Sequence, residues 1–391
     1  MNTTSGREQR KIEHVELASR EDAVTPVEDF DDIHLIHNSL PNVRKADVRL
    51  DVQLDQLSLK TPLYINAMTG GALGLEDINR GLALAAQATG VAMAVGSQHA
   101  ALRDRTLQRT YRVVRDVNPD GIVFANVGAT VSVQDALFAV EMLEANALQV
   151  HLNVPQELVM PEGDRDFRGV LERIAEIVEC CPVPVIVKEV GFGMSRQTVF
   201  ALAASGVRWV DVGGRGGTDF VHIENQRRVA TDFDYWRGWG QSTAVSLLEA
   251  ESLAHKVLLF ASGGIRNPLD GLKSLVLGAR AIGIAGPILR SFRDGGVPAV
   301  EAYLRGFLDG LVTLMTALGV VDVRELCHQP VVVTGRTLEW CTLRGIDAGG
   351  LARRQGTGAL NAMPFGQDRA LAPVQHPQEA NTVVPLSKDA G

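Results

Sequence analysis

The chain has 391 residues, 46% of them hydrophobic, 21% charged and 5% aromatic, enough apolar material for a sizeable core, which excludes wholesale disorder. Lys plus Arg number 38 against 46 Asp plus Glu, a net charge of −8 that argues against nucleic acid or an anionic membrane surface as the main partner. A prior of about 150 residues per domain suggests two or three domains.

The polar N-terminus lacks the apolar core of a signal peptide, and no apolar run nears the ~20 residues of a membrane helix. A cytoplasmic protein is therefore expected. Residues 1–60 carry a charged, helix-like start with Arg10, Lys11 and His14, then FDDIHLIHNSLPN. They read as an arm that packs against or over the rest. From there eight short apolar runs recur: LYINAMTGG (63–71), VAMAVGSQ (91–98), GIVFANVGA (121–129), ALQVHLNV (147–154), VPVIVKEVG (183–191), WVDVGG (209–214), KVLLFASGG (256–264) and AIGIAGP (281–287). They are apolar at nearly every position, as parallel strands covered on both faces are. Amphipathic stretches of helix length, such as FRGVLERIAEIVEC, separate them. Eight strand–helix alternations predict a (β/α)8 TIM barrel rather than a doubly wound sheet. This replaces two or three domains with one barrel, residues 61–350 including C-terminal helices. Segment 214–240 is long for a βα loop, and its Tyr235, Trp236 and Trp239 favour an ordered, functional loop. The tail, 366–391, has scattered prolines and no periodicity and reads as disordered.

Gly and polar residues end each apolar run, and in a barrel those ends share the active-site face. Asn66, Ser97, Asn126, Asn153 and Lys188 stand there. Gly263, Gly264, Ala285 and Gly286 follow the last two strands, where barrels commonly bind phosphate, with Arg266 as an added charge; a pair of tight turns is the plainer reading. Lys188 sits in an otherwise apolar strand and must face a cavity or bear the cost of burial, which suits a cation beside an electron-accepting ring or phosphate. His151 and Asn153 share one strand face, and Gln156 and Glu157 follow them. One carboxylate beside phosphates suggests Mg²⁺. A solvated acidic loop of Glu157, Glu162, Asp164 and Asp166 explains the same residues equally well. Cys180, Cys181, Cys327 and Cys341 fit neither a disulfide scaffold nor a metal site, and none lies at a strand end, which disfavours thioimidate chemistry. There is no G-x-S-x-G elbow, and GGRGG (213–217) comes too late for a first-unit dinucleotide fingerprint.

RKIEH (10–14), FDDIHLIHNSLP (30–41), NAMTGG (66–71), VGSQ (95–98), HLN–QE–PEGDRDF (151–167), KEVGFGMS (188–195), GGTDF (216–220) and SGGIR (262–266) together closely resemble the type 2 isopentenyl-diphosphate isomerase family. The likeness runs to about Asp347, and HLNxxQExxxPEGD is its most specific part. It implies an FMN-binding barrel that interconverts isopentenyl and dimethylallyl diphosphate. Reduced FMN would be the acid–base cofactor, NAD(P)H only its reductant, and Mg²⁺ the holder of the diphosphate. The resemblance makes Ala67, Met68, Thr69, Ser97, Asn126, Lys188, Thr218, Gly263, Gly264, Arg266, Ala285 and Gly286 flavin contacts. It makes Arg10, Lys11, His151, Asn153 and Gln156 substrate contacts, with Gln156 also orienting or relaying the proton, and Glu157 the Mg²⁺ ligand. Gly213 and His99 depart from the family's frequent Ser and Arg. A homo-oligomer, tetramer or larger, is implied, with a small isoprenoid diphosphate as ligand. The alternatives are an FMN-dependent oxidase or dehydrogenase of a small acid, and a non-catalytic flavin- or phosphate-binding barrel.

Overall fold

The computed structural model describes Glu13, Glu16, Leu17, Val24, residues 29–228 and residues 232–356. Arg10, Lys11, His14 and the 366–391 tail lie outside the described residues. Eight parallel strands form a closed barrel: β1 (Leu63–Ile65), β2 (Ala92–Ala94), β3 (Val123–Gly128), β4 (Ala147–Leu152), β5 (Val185–Glu189), β6 (Trp209–Asp211), β7 (Leu258–Ser262) and β8 (Ala279–Ile284), with β8 returning to β1. Each lies inside one of the apolar runs or overlaps it. A helix follows each strand: α1 (Glu76–Thr89), α2 (Arg109–Val117), α3 (Val133–Leu143), α4 (Val170–Cys180), α5 (Arg196–Ala204), α6 (Thr243–Ala250), α7 (Pro268–Val276) and α8 (Gly286–Leu318). Ser132, Ser195, Ser242 and Asn267 cap α3, α5, α6 and α7, each side chain accepting from a first-turn N–H. The long α8 breaks at Gly295–Gly296, just before Pro298.

Aromatic side chains fill the barrel beneath the mouth. Tyr64 packs edge-on against Phe124 and Phe260, with centroids 5.7 and 6.2 Å apart, and Phe260 stacks on Trp209. A hairpin, Val52–Leu54 with Leu57–Leu59, lies at the N-terminal end of β6, where its Asp55 accepts from Trp209 Nε1. The first 60 residues therefore do not all lie over the mouth. Val24 bridges to Thr218 at the rim, Ile33–Leu35 pairs antiparallel with Val331–Val333 near the C-terminus, and the hairpin sits at the opposite end.

Candidate functional site

Two cavities meet at the C-terminal mouth. The smaller, about 400 Å³, is lined by Ala67, Met68, Ser97, Asn126, Lys188, Thr218, Gly263, Gly264, Arg266, Ala285 and Gly286. Those are all the sequence-read flavin contacts but Thr69, which lines the larger cavity of about 1140 Å³ together with His151, Asn153, Gln156 and Glu157. Met68, Ser97, His151 and Gln156 belong to both, so the chambers adjoin beside Gln156. Thr69 Oγ1, and Arg290 Nη1 on the smaller cavity, are buried without a hydrogen-bond partner. Orphaned polar atoms in a glycine-walled slot fit a polar cofactor such as FMN, whose oxygens would satisfy them.

Strand register explains the central polar set. Asn126, Gln149, His151, Lys188 and Asp211 stand at neighbouring levels of β3 to β6. Asn126 donates from Nδ2 to Gln149 Oε1 (2.9 Å), leaving its Oδ1 to accept from His151 Nδ1 at 2.9 Å. The histidine proton is thereby placed on Nδ1. Lys188 is buried; desolvation lowers its pKa, and the charges of Asp211 and Glu189 oppose that. Its Nζ donates to the Glu189 backbone carbonyl at 2.7 Å, not to the Glu189 carboxylate, which turns into the loop and accepts from the N–H groups of Val190, Gly191 and Phe192. Burial pushes the Glu189 carboxyl up to about 7 against those three hydrogen bonds. Asp211 accepts from Tyr64 Oη, Ser262 Oγ and Gly213 N. Burial, and then the Asp211 charge, raises the Tyr64 hydroxyl well above its ordinary value.

The loop after β4 forms the short helix Val154–Val159. Asn153 Nδ2 donates to Gln156 Oε1 (3.2 Å) and Glu157 Oε1 (2.9 Å), and Glu157 Oε2 accepts from Asp164 N at 2.8 Å. Among the described residues no group of three or more His, Cys, Asp and Glu could cage a metal. Glu157 offers one carboxylate, which would suit Mg²⁺ if substrate oxygens and water supplied the other ligands.

Sequence reasoning missed three residues here. Glu224, on the helix Phe220–Gln226 within the long loop after β6, is wholly buried and accepts from Gln156 Nε2 at 2.9 Å. Arg227 pairs with Glu224 and reaches Glu162 (3.1 Å) on the loop after β4 and Glu13 (3.6 Å) on the arm. The spacing of Glu224 and Arg227 in a loop already marked as functional was the available signal. Arg290 is the third. Arg266, by contrast, forks onto Asp270 (2.8 Å) and Asp31 (2.7 Å), so two carboxylates already answer its charge. His99 and Arg103 both line the larger cavity.

A sequence profile described as FMN-dependent dehydrogenase matches residues 123–333. An isopentenyl-diphosphate delta-isomerase of Staphylococcus saprophyticus is 49% identical over 341 residues, 87% of this chain and 98% of that protein. One from Staphylococcus aureus is 47% identical over 342 residues, 87% of this chain and 97% of that protein. Among solved structures, a flavocytochrome b2 variant with pyruvate bound superposes with a TM-score of 0.62 at 19% identity, covering 98% of this chain and 90% of its own. A mandelate oxidase variant with benzaldehyde gives 0.59 at 15%, covering 84% and 94%. At such identities the structural likeness speaks for the flavoenzyme barrel fold alone.

Proposed function

The chain belongs to the isopentenyl-diphosphate delta-isomerase family, and from that premise we propose that it interconverts isopentenyl and dimethylallyl diphosphate with reduced FMN and Mg²⁺. The observation that carries this is the pair of adjoining chambers that share Gln156, which would set a ligand in the larger beside a flavin in the smaller. Moving a double bond by one carbon needs a proton added at one carbon and removed at an allylic one, with no net redox change. Weak carbon acids demand positioned groups and exclusion of water. Reduced FMN, when bound, supplies the acid–base group, and NAD(P)H serves only to reduce it.

The chain's residues do the rest. Because Gln156 Nε2 donates to Glu224, its Oε1 is turned toward Asn153 and the cavity, an acceptor held in place. Arg227 pairs with the other Glu224 oxygen and so holds the carboxylate, and with it the amide, in that orientation. His151 borders both chambers, its ring oriented by the hydrogen bond from Nδ1 to Asn126 Oδ1. Glu157 would hold Mg²⁺ on the diphosphate, with Arg10 and Lys11 from the arm and Arg103 from the wall adding positive charge, so that remote binding energy positions the alkene. Among the described residues no helix is long and apolar enough to cross a membrane. We read the enzyme as a cytoplasmic homo-oligomer, tetramer or larger.

The FMN-dependent dehydrogenase profile favours one rival, oxidation of a small acid. Anaerobic incubation with reduced FMN, Mg²⁺ and isopentenyl diphosphate should yield dimethylallyl diphosphate with no net flavin oxidation. No product, together with reduction of oxidised flavin by a 2-hydroxy acid, would replace the isomerase by the oxidase.

A further inference from the structure

We propose that Arg290 is the cation that grips the phosphoryl end of the flavin and makes this chain select FMN over riboflavin. The proposal rests on the FMN reading above and assigns within it a residue and a specificity.

Arg290 lies one turn into α8, which begins at Gly286 directly after β8. Its side chain does not run out to solvent. A Cβ built on Gly286 would lie 3.3 Å from Arg290 Nη1 and 3.8 Å from Thr218 Oγ1, so the guanidinium curls back past the start of its own helix, into space that a side chain at 286 would narrow. There it borders the smaller cavity with Gly263, Gly264 and Gly286. Nη1 is buried and has no acceptor, and Arg290 makes no ion pair among the described residues. A buried guanidinium N–H without an acceptor is costly, and native structures rarely leave one so. An acceptor of high charge is the economical answer, and the guanidinium fork matches phosphate oxygens in particular.

The surroundings point to the same ligand end. Gly263 and Gly264, at φ +85° and +70°, hold a tight turn after β7 that no side chain screens. The first N–H groups of α8 add the partial positive charge of a helix start. Two other cations border this cavity. Arg266 is committed to Asp270 and Asp31, and even its backbone N–H goes to Asp270. Lys188, on β5, lies beside Asp211 with its Nζ on the Glu189 carbonyl. Lys188 keeps further N–H groups but shares its wall with the Asp211 and Glu189 charges, whereas Arg290 pairs with no carboxylate among the described residues.

The test uses full-length protein stripped of flavin and titrated separately with FMN and with riboflavin, followed by quenching of flavin fluorescence. Wild type should bind FMN more tightly than riboflavin. Arg290→Met should weaken FMN by about 10- to 100-fold, the loss of a charge-assisted contact, and riboflavin by less than about twofold. Arg290→Lys, which keeps the charge without the fork, should fall between and serves as the comparison if the Met variant does not fold. An FMN-to-riboflavin ratio unchanged in both variants overturns the proposal, as does a ratio that collapses in Arg266→Met instead. Wild type that binds neither flavin would overturn the cofactor reading itself, a separately visible result.

Discussion

At the residue scale, the mouth is built of charged groups placed where water is scarce. Glu224 has no exposed surface, and its carboxylate meets the Gln156 amide and the Arg227 guanidinium. Glu224→Gln removes the charge that fixes the amide and leaves Arg227 facing a neutral group. Turnover should drop about 100-fold, the scale of a misplaced catalytic group, while flavin remains bound. An unchanged kcat with full flavin occupancy would take Glu224 out of the reaction. Lys188→Ala acts on the other chamber. It removes the buried cation beside Asp211, and the flavin-to-protein absorbance ratio after gel filtration should fall well below that of wild type, with full occupancy as the contrary result. Gly213 belongs to the same crowded level. Its φ is +44°, and a Cβ there would meet the Glu189 carbonyl oxygen at 2.0 Å, so in this chain the backbone has closed on the space a side chain at 213 would take.

At the element scale, the helix Phe220–Gln226 is the piece that brings Glu224 to the mouth, and Asp219 holds it at two points. One carboxylate oxygen accepts from His222 N (3.1 Å) as the helix cap, the other from Gly238 N (3.2 Å) at the far end of the loop. Asp219→Ala should cost about 1 kcal/mol of local stability, as lost caps do, and speed proteolysis within residues 228–240 while global unfolding barely moves. Equal cleavage rates would mean that the loop is held elsewhere. This element also marks the limit of the sequence. All eight barrel strands were legible because burial on both faces writes continuous apolar runs, and SGGIR and AGP marked the glycine turns. Phe220–Gln226 carries His222, Glu224 and Asn225 among its seven residues, so no apolar periodicity announced it. A buried Glu224 reads like any surface acid until the fold covers it, and Arg290 reads like the solvated face of a helix. The hairpin 52–59 escaped for a different reason: strands of three residues are too short for alternation to stand out.

At the scale of the whole molecule, part of the acidic excess fastens the C-terminal extension to the N-terminal segment and to the barrel. Asp32 accepts from Thr337 N and Oγ1, Asp322 from Arg49 and Arg324, and Glu249 of α6 from Trp340 Nε1 (2.9 Å), Arg344 Nε (2.7 Å) and Arg196 N (3.1 Å). Glu249 therefore ties α6, α5 and the helix Gly335–Arg344 together. Burial pushes its carboxyl up, but the hydrogen bonds from Arg344, Trp340 and Arg196 outweigh burial and bring it down to about 2. For Asp322 the hydrogen bond from Arg324 leads, and the result is again about 2. A carboxyl with a lowered folded pKa stabilises the fold above its unfolded value, and that contribution is lost as pH falls through the folded one. The relevant window thus runs from about pH 4.5 down to pH 2, and Glu249 contributes on the order of 3 kcal/mol above it. Glu249→Gln cannot form the ion pair with Arg344. It should unfold at lower urea concentration at pH 7, by about 3 kcal/mol. The gap should narrow steadily toward pH 2, because only the wild type has that carboxylate to lose. Parallel stability curves for the two proteins across this window would show that Glu249 is not the acid-sensitive tie between the barrel and its C-terminal helices.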